Sequence, residues 1–379
     1  MQHQAHQSPP GRHGTWRNFT PADGLASLRV EHMAQDAAGY LWFATISNGV
    51  SRFDGDEFVT FNERDGLCNN GIMCVAADRR GRVWFGARGG LSCRDGDRFH
   101  TVAMPAGDGD FLINSLFVDR DDRVWLSGRH PRGGNPGIIG RVDGDTFVDL
   151  SAEFARDCAC VRGHCWGITQ DDDGHIWFAR SRLLRYDGAR FQVYGPEHGL
   201  PDSPLHTLTQ PPGGEPMWVG GMGTLGRFDG HSYEPAGIVI DGQVRRIQQD
   251  HHGRVWVCTP RNGVLCFSDG VCQSYHPADG LPDPFVTAVQ VDREDHIWFA
   301  SWGGGVGRYD PCAIEKIDAG AGLPSAAVTT IAAADGGRIW AGFGSIEGLT
   351  SRSVACWDGD VMHIWGQSEG LVTEDCMVM

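Results

Sequence analysis

The chain has 379 residues, of which 41% are hydrophobic and 54 are glycine, and its net charge at pH 7 is −16. This composition predicts a globular chain that can bury a large core, and its acidity excludes a general nucleic-acid binder, which needs a basic surface. The sequence has no run of 18 apolar residues, so no membrane-spanning helix is predicted.

The first 14 residues lack the apolar core of a secretory signal, and we interpret them as a disordered leader. Without a signal, the twelve cysteines are expected to be mostly reduced and buried, which favours a cytoplasmic protein. A periplasmic location is the alternative if a signal segment has been removed. A first strand is predicted over Thr15–Thr20, and it resembles the last strand of the repeat that follows.

The first repeat predicts four short strands, over Val30–Gln35, Tyr40–Thr45, Val50–Phe53 and Phe58–Phe61. Its tryptophan recurs at steps of 42, 41, 52, 41, 38, 42 and 42 residues, at Trp42, Trp84, Trp125, Trp177, Trp218, Trp256, Trp298 and Trp340. A Gly-Leu pair precedes the first strand in several repeats, at residues 24–25, 66–67, 199–200, 280–281 and 322–323. An Asp-Gly pair, which is a strong hairpin signal, follows most of the tryptophan strands.

Four strands per unit and a period of about 42 residues predict a β-propeller. We therefore expect an all-β fold with one propeller domain over residues 15–379, built of eight four-stranded blades, with seven as the alternative. Each tryptophan is expected to pack between blades. The chain ends with Gly370-Leu371 and a segment that resembles the start of a ninth repeat. Either the terminal strands close an eight-bladed ring, or the chain is a piece of a longer repeat protein.

Residues 24–55 (GLASLRVEHMAQDAAGYLWFATISNGVSRFDG) and 280–311 (GLPDPFVTAVQVDREDHIWFASWGGGVGRYDP) resemble the two-component regulator propeller repeat, and the resemblance extends over residues 15–379. It implies a ligand-binding sensor domain of the kind found in bacterial signalling proteins, which are often periplasmic. The strand motif D-x-x-G-x-[IL]-W-F is also similar to that of the streptogramin lyases, which are metal-dependent propeller enzymes.

Ligands usually bind propellers on the rim that carries the loops before strand one and between strands two and three, here called the top face. Because arginine suits carboxylate and phosphate recognition, an anion-binding mouth of the central channel is predicted. Its expected ligand-binding residues are Arg29, Arg88, Arg129, Arg132, Arg180, Arg182, Arg245, Arg246 and Arg261, with Trp166 and Trp302 as stacking walls. The alternative is a set of scattered surface arginines paired with nearby aspartates.

The loop that precedes the fourth repeat holds three cysteines and a histidine within eight residues, namely Cys158, Cys160, His164 and Cys165. Thiolate and imidazole groups suit zinc or copper, so a metal site is one hypothesis and a redox pair of Cys158 with Cys160 is another. The alternative for Cys165 is simple burial, because it lies where other repeats place a core valine or isoleucine.

Three functions remain open at this point. The first is a sensor-type propeller that binds a small anionic or polar ligand on its top face. The second is a lyase- or cyclase-type enzyme that uses a top-face histidine and arginine, with or without a divalent metal (Zn, Cu or Mg). His32, His130, His164 and His206 are the candidate histidines. The third is a protein-interaction scaffold. A monomer is expected, and no nucleic-acid partner.

Overall fold

In this computed structural model, the structure describes residues 14–104, 111–129, 137–158, 161, 165–268, 270–311, 328–334, 338–343, 353–357 and 362–365. These residues fall into two compact units. One is Trp16–Tyr309, and the other contains the described parts of Asp310–Met379 together with Thr15. In the described part of the chain, no helix is both long and apolar enough to cross a membrane.

The first four blades follow strand β1 (Thr15–Phe19). Blade 1 contains β2 (Val30–Gln35), β3 (Leu41–Thr45), β4 (Val50–Phe53) and β5 (Phe58–Phe61). Blade 2 contains β6 (Ile72–Ala77), β7 (Val83–Ala87), β8 (Gly90–Asp95) and β9 (Arg98–Val102). Blade 3 contains β10 (Leu112–Val118), β11 (Val124–Arg129), β12 (Ile139–Asp143) and β13 (Thr146–Asp149). After helix α1 (Ser151–Asp157), blade 4 contains β14 (Gly167–Gln170), β15 (Ile176–Ala179), β16 (Leu183–Tyr186) and β17 (Phe191–Tyr194).

Three further blades and one more sheet complete the described chain. Blade 5 contains β18 (Leu205–Thr209), β19 (Met217–Gly221), β20 (Leu225–Phe228) and β21 (Tyr233–Pro235). Blade 6 contains β22 (Arg246–Gln249), β23 (Val255–Cys258), β24 (Val264–Ser268) and β25 (Val271–Tyr275). Blade 7 contains β26 (Val286–Val291), β27 (Ile297–Ser301), β28 (Val306–Asp310) and β1. The eighth sheet contains β29 (Val328–Ala334), β30 (Arg338–Phe343), β31 (Ser353–Trp357) and β32 (Met362–Trp365).

The all-β fold and the eight four-stranded sheets predicted from the repeat are confirmed. Within Trp16–Tyr309 the first strand of each blade lies beside that of the next, and β26 of blade 7 returns to β2 of blade 1. The N-terminal strand takes the place of the last strand of a repeat, as its sequence resemblance predicts, because β1 pairs with β28 as the outer strand of blade 7. This unit is therefore a closed ring of seven blades, the alternative number raised by the sequence, and the eighth sheet belongs to the other unit.

The repeated tryptophan packs between blades, as the sequence predicts. The seven tryptophans of the ring are at most 4% exposed, and each lies in a core cluster with strands of the following blade. Trp298 of blade 7 closes the series, because it stacks on Phe19 and packs against Phe43 of blade 1, with ring centroids 5.4 and 5.7 Å away. Seven apolar interfaces of this kind hold the ring together.

An aspartate six residues before the tryptophan organises the turn between the first two strands of most blades. In blade 1, Asp36 Oδ1 accepts backbone N–H bonds from Ala38 and Tyr40, and its Oδ2 accepts the Trp42 Nε1 bond at 2.7 Å. The same indole–carboxylate bond recurs in five other blades, with the pairs Asp78 and Trp84, Asp119 and Trp125, Asp171 and Trp177, Asp250 and Trp256, and Asp292 and Trp298. Much of the acidic charge of the chain is thus committed to turns.

The Gly-Leu pairs mark the passage from one blade to the next. A short 3-10 helix precedes each described pair, at Pro21–Asp23, Glu63–Asp65, Pro196–His198 and Pro277–Asp279. The glycine then ends the helix in the left-handed region, with φ of 110° at Gly280, where other residues are strained. A Cβ at Gly280 would also lie 2.5 Å from a ring atom of Trp16. The leucine that follows is buried.

The eighth sheet has the same strand order and pairing as a blade of the ring. Its burial differs: Ile331 and Ile339 are 69% and 42% exposed, whereas the corresponding Val289 and Ile297 of blade 7 are 7% and 0% exposed. Trp340, which stacks on Trp365, is also only partly buried. Apolar surface that the ring covers with a neighbouring blade is thus open in this sheet.

Candidate functional site

A β-bulge near the start of the first strand marks the same position in five blades of the ring. In blade 1 the pairing between β2 and β3 shifts between Val30 and His32, so Glu31 is the extra residue. The equivalent bulged residues in other blades are Met73, Asn114, His206 and Thr287. In blades 4 and 6, whose ladders begin two positions later, Trp166 and Arg245 occupy this position. Bulges re-aim side chains, and here they act at one level of the ring.

The side chains at the bulge position meet at the centre of the ring. Five of them line one cavity of about 10 Å³, which is roughly the space needed for one water molecule; they are Glu31, Met73, Trp166, Arg245 and Thr287. Gln243 and Arg246 complete its lining. Residues from blades 1, 2, 4, 6 and 7 therefore converge on one small cavity.

An ion pair crosses this centre. Arg245 Nη2 lies 2.8 Å from Glu31 Oε1, and the two side chains are only 12% and 4% exposed. The other carboxylate oxygen, Oε2, accepts a bond of 2.6 Å from Trp302 Nε1. Glu31 is therefore held by residues of blades 6 and 7.

Three aromatic rings surround the guanidinium of Arg245. Its Cζ lies 5.2 Å from the ring centroid of Trp166, 5.6 Å from that of Trp302 and 5.7 Å from that of Phe285. Phe285 and Trp302 stack with their planes 6° apart. Arg29, which is exposed, lies over Trp302 at 5.1 Å. The aromatic walls predicted at Trp166 and Trp302 thus lie beside two of the predicted arginines.

A third arginine lies deeper in the same cluster. Arg246 Nη1 donates to the backbone oxygen of Trp166 at 2.5 Å. Burial lowers the pKa of Arg246, while the nearby Cys74 and Glu31 raise it. Burial raises the pKa of Glu31, and Arg245, Trp302, Arg246 and Arg29 lower it. Glu31 thus pairs directly with Arg245, and the charges of Arg246 and Arg29 also favour its ionised form. We call Glu31, Arg29, Arg245 and Arg246 the channel cluster.

The other predicted arginines lie elsewhere or have different partners. Arg182 pairs with Asp202 at 2.8 Å and Arg261 with Asp241 at 3.4 Å, as the scattered-surface alternative describes. Arg180 is 3% exposed and lies 4.8 Å from the Phe154 ring. Arg88 and Arg129 are exposed, and Arg132 lies outside the described residues.

Two of the four candidate histidines are described. His32 follows the bulge in blade 1, and His206 occupies the bulge position of blade 5. Burial, and then the charge of Arg246, hold the pKa of His32 well below its ordinary value, so this ring is neutral at pH 7. His130 and His164 lie outside the described part of the chain.

The predicted metal loop is only partly described. Cys158 and Cys165 are buried in the core cluster of blades 3 and 4, and Cys160 and His164 lie outside the described residues. Burial raises the pKa of Cys165 to about 11, and its thiol donates to the oxygen of Gly167. The burial expected for Cys165 is thus observed, whereas the metal site stays a prediction.

Two acidic clusters with a histidine were not predicted from the sequence. They are Asp171 with Asp173 and His175, and Asp292 with Glu294 and His296. In both, the first aspartate already accepts bonds from the tryptophan indole and from the histidine Nδ1. These groups therefore serve the turn of the blade.

Sequence reasoning missed Glu31, Phe285 and Thr287. Glu31 has a signal in the sequence, because it interrupts the apolar alternation of the first strand between Val30 and Met33. Phe285 and Thr287 have none, since an aromatic and a threonine are ordinary residues in a strand. Their contribution depends on the bulge, which the hydrophobic pattern does not encode.

Comparison with known proteins agrees with this architecture. The model of the two-component regulator propeller family matches residues 66–89. No sequence among curated proteins matches the chain. The chain is therefore a β-propeller in class. More particularly, one of its repeats matches the two-component regulator propeller family, which confirms over residues 66–89 the resemblance seen in the sequence.

Solved structures show the same fold. The extracellular domain of a protein described as a hybrid two component system from B. thetaiotaomicron has a TM-score of 0.67 at 17% identity; the match covers 92% of this chain and 48% of that one. The chain thus spans about half the length of that neighbour. A streptogramin B lyase (TM-score 0.63, 14% identity) and the virginiamycin B lyase from Staphylococcus aureus (0.61, 16%) match 80% and 78% of this chain and 99% and 98% of their own. At these identities the likeness concerns the fold alone.

Proposed function

We propose that the seven-bladed ring is a ligand-binding module of sensor type that takes a small anion at the channel cluster. The observation that carries this proposal is the excess of arginine at one carboxylate: Arg245 pairs with Glu31, Arg246 lines the same cavity, and Arg29 lies over the Trp302 ring that Arg245 also contacts. A buried guanidinium is costly unless its charge is compensated. An anion at this point would supply the charge that one carboxylate leaves unbalanced.

The position of the cluster supports the proposal. Arg29 is exposed and contacts Trp302, whereas Arg245 contacts the same ring from the buried centre. A ligand that enters from solvent would meet Arg29 first and Arg245 next. Because the cavity holds only about one water molecule, binding requires that the Arg245 side chain move away from Glu31.

The experiment is isothermal titration and thermal unfolding of the protein with a panel of carboxylates and phosphate monoesters. We expect at least one anion to raise the unfolding temperature of the wild type, since a ligand at about 100 times its Kd adds roughly 2.7 kcal/mol. Glu31→Gln is expected to bind that anion more tightly, because it removes the internal competitor for Arg245. Arg29→Ala is expected to bind it at least tenfold more weakly.

Two further variants make the result decisive. Arg261→Gln removes an exposed arginine that pairs with Asp241, away from the channel cluster, and it should bind like the wild type. The double variant Glu31→Gln/Arg245→Gln removes the ion pair without leaving either charge alone, so it should fold and fail to bind. If no anion in the panel binds the wild type, or if Arg29→Ala and Arg261→Gln lose affinity equally, the proposal is wrong.

A further inference from the structure

The boundary between blades 5 and 6 holds a cavity of about 570 Å³, which is within the usual range for small-molecule sites, about 300–1,000 Å³. It opens to solvent, because several of its lining residues are exposed, among them Arg227, Glu234 and Cys272. Its aromatic wall is formed by Trp218 of blade 5 and Phe267 of blade 6, whose ring centroids are 5.4 Å apart. Its described lining residues include no member of the channel cluster, so the cavity is separate from that cluster.

The cavity lies where blade 5 lacks a large side chain that other blades have. The backbone N–H of Ala236, at the end of the outer strand, donates to the oxygen of Leu225 in the third strand. The residues at the same place in other blades are Phe61, Val102, Leu150, Tyr194 and Tyr275. Three of these are aromatic, and their ring centroids lie 5.0–5.6 Å from the tryptophan of their own blade. An alanine here leaves open the space beside Trp218 that an aromatic ring takes up in those blades.

Two opposite charges border this space. On the face of blade 5 that packs on blade 6, Trp218 lies opposite Arg227 of β20, which in turn lies opposite Glu234 of β21. Residues directly opposite on neighbouring strands have Cβ atoms about 5 Å apart. In the described part of the chain, neither Arg227 nor Glu234 takes part in an ion pair. In four other blades the place of Glu234 holds a neutral residue, namely Val59, Val148, Gln192 and Gln273.

We propose that this cavity binds an aromatic α-amino acid. The ring of the ligand occupies the space beside Trp218 and Phe267 that a side chain fills in other blades. Arg227, which is exposed and lies over the Trp218 ring at 4.9 Å, moves aside to pair with the carboxylate of the ligand. The ammonium group pairs with Glu234, because the two protein charges stand on neighbouring strands and the two ligand charges share one carbon. An aromatic acid or an aromatic amine forms only one of these two pairs.

Isothermal titration of the full chain with L-phenylalanine, L-tyrosine and L-tryptophan tests the proposal. Each amino acid is compared with its analogue that lacks the ammonium group, such as 3-phenylpropionate, and with its analogue that lacks the carboxylate, such as 2-phenylethylamine. We expect at least one of the amino acids to bind, and both of its analogues to bind at least tenfold more weakly. The proposal is wrong if none of the three amino acids binds, or if the analogue without the ammonium group binds equally well.

Two variants separate the ring site from the charge site. Ala236→Phe places a ring where blade 1 has Phe61, so it is expected to weaken binding of the amino acid at least tenfold and to raise the unfolding temperature of the unliganded protein. Glu234→Gln changes an exposed side chain and should fold like the wild type. It is expected to bind the amino acid and its analogue without the ammonium group with equal affinity, a change that only a contact with that group explains.

A matched pair of arginine variants locates the site. Arg227→Gln is expected to bind the amino acid at least tenfold more weakly than the wild type. Arg185→Gln is its control, because Arg185 lies opposite Trp177 in blade 4 as Arg227 lies opposite Trp218 in blade 5, and it should bind like the wild type. Equal affinities of these two variants would overturn the proposal, and so would wild-type affinity in Ala236→Phe.

Discussion

Glu31 determines the charge balance at the centre of the ring, but its residue type alone does not mark it as part of the site. Arginine and tryptophan have recognisable chemistry, so Arg29, Arg245 and Trp302 could be proposed from the sequence. Glu31 is one of 48 acidic residues, and only the bulge shows that it meets Arg245. Arg245 and Arg261 also cannot be told apart from the sequence. Arg245 pairs with Glu31 at the centre of the ring, whereas Arg261 pairs with Asp241 on the surface.

At this scale His32 gives a pH prediction. Its pKa is below the ordinary 6.5 in the folded protein because of burial and Arg246, so the unfolded state binds more protons below about pH 6.5. The stability that the neutral ring contributes is fully present above pH 6.5. It is lost as the pH falls toward the folded pKa, by at most about 1.4 kcal/mol per pH unit.

Denaturant unfolding of the wild type and of His32→Gln between pH 7.5 and 5 checks this prediction. The difference in unfolding free energy between the two proteins should change with pH below 6.5 and be constant above it. A difference that does not vary over the whole range would show that His32 does not titrate on unfolding.

The turn between the first and second strands is the element that the sequence describes best. The D-x-x-G pattern before the tryptophan predicts a tight turn, and Asp36 indeed accepts two backbone N–H bonds there. The additional bond from the Trp42 indole could not be foreseen, because it requires the side chain of the second strand to lie directly under the turn. Strand bounds were predicted to within one residue for the first repeat, since alternation is clear in each strand.

This element yields a stability prediction. Asp36→Ala removes the acceptor of the buried Trp42 Nε1, which should lower the free energy of unfolding by about 1–3 kcal/mol. Asp54→Ala removes an aspartate that accepts two backbone N–H bonds in an exposed turn, so its effect should be clearly smaller. Urea denaturation, monitored by tryptophan fluorescence, measures the free energy of unfolding of both variants. An equal loss of unfolding free energy in Asp36→Ala and Asp54→Ala would mean that the bond from the Trp42 indole does not contribute to stability.

For the whole molecule, the repeat predicts how many sheets form but not how many close one ring. Each repeat specifies only its own strands and the faces that it offers to its neighbours. Closure depends on the angle between successive blades, which accumulates around the ring and has no local signal. The contacts of Trp298 with Phe43 and Phe53 show that blade 7 takes blade 1 as its neighbour.

The closing strand gives a prediction at this scale. Phe19 is 1% exposed and packs on Trp298, Phe53 and Phe58 where blade 7 meets blade 1. Phe19→Ala is expected to cost about 3–5 kcal/mol and to increase cleavage of the first strand in limited proteolysis. Val59→Ala, at a site 39% exposed, is the control and should leave both measurements close to wild type. Unchanged proteolysis of Phe19→Ala would contradict a role for this residue in closure.

Strand β1 also imposes an order on biosynthesis. It leaves the ribosome before the other strands of the ring, yet its partner β28 follows about 290 residues later, which at 5–20 residues per second is a delay of roughly 15–60 s. During that time Trp16 lacks Phe299 and Tyr309 and Phe19 lacks Trp298, so blades 1–6 can form but the ring cannot close. Newly made chains are therefore open arcs with an unpaired aromatic strand at one end, the species most exposed to aggregation and to capture by a chaperone.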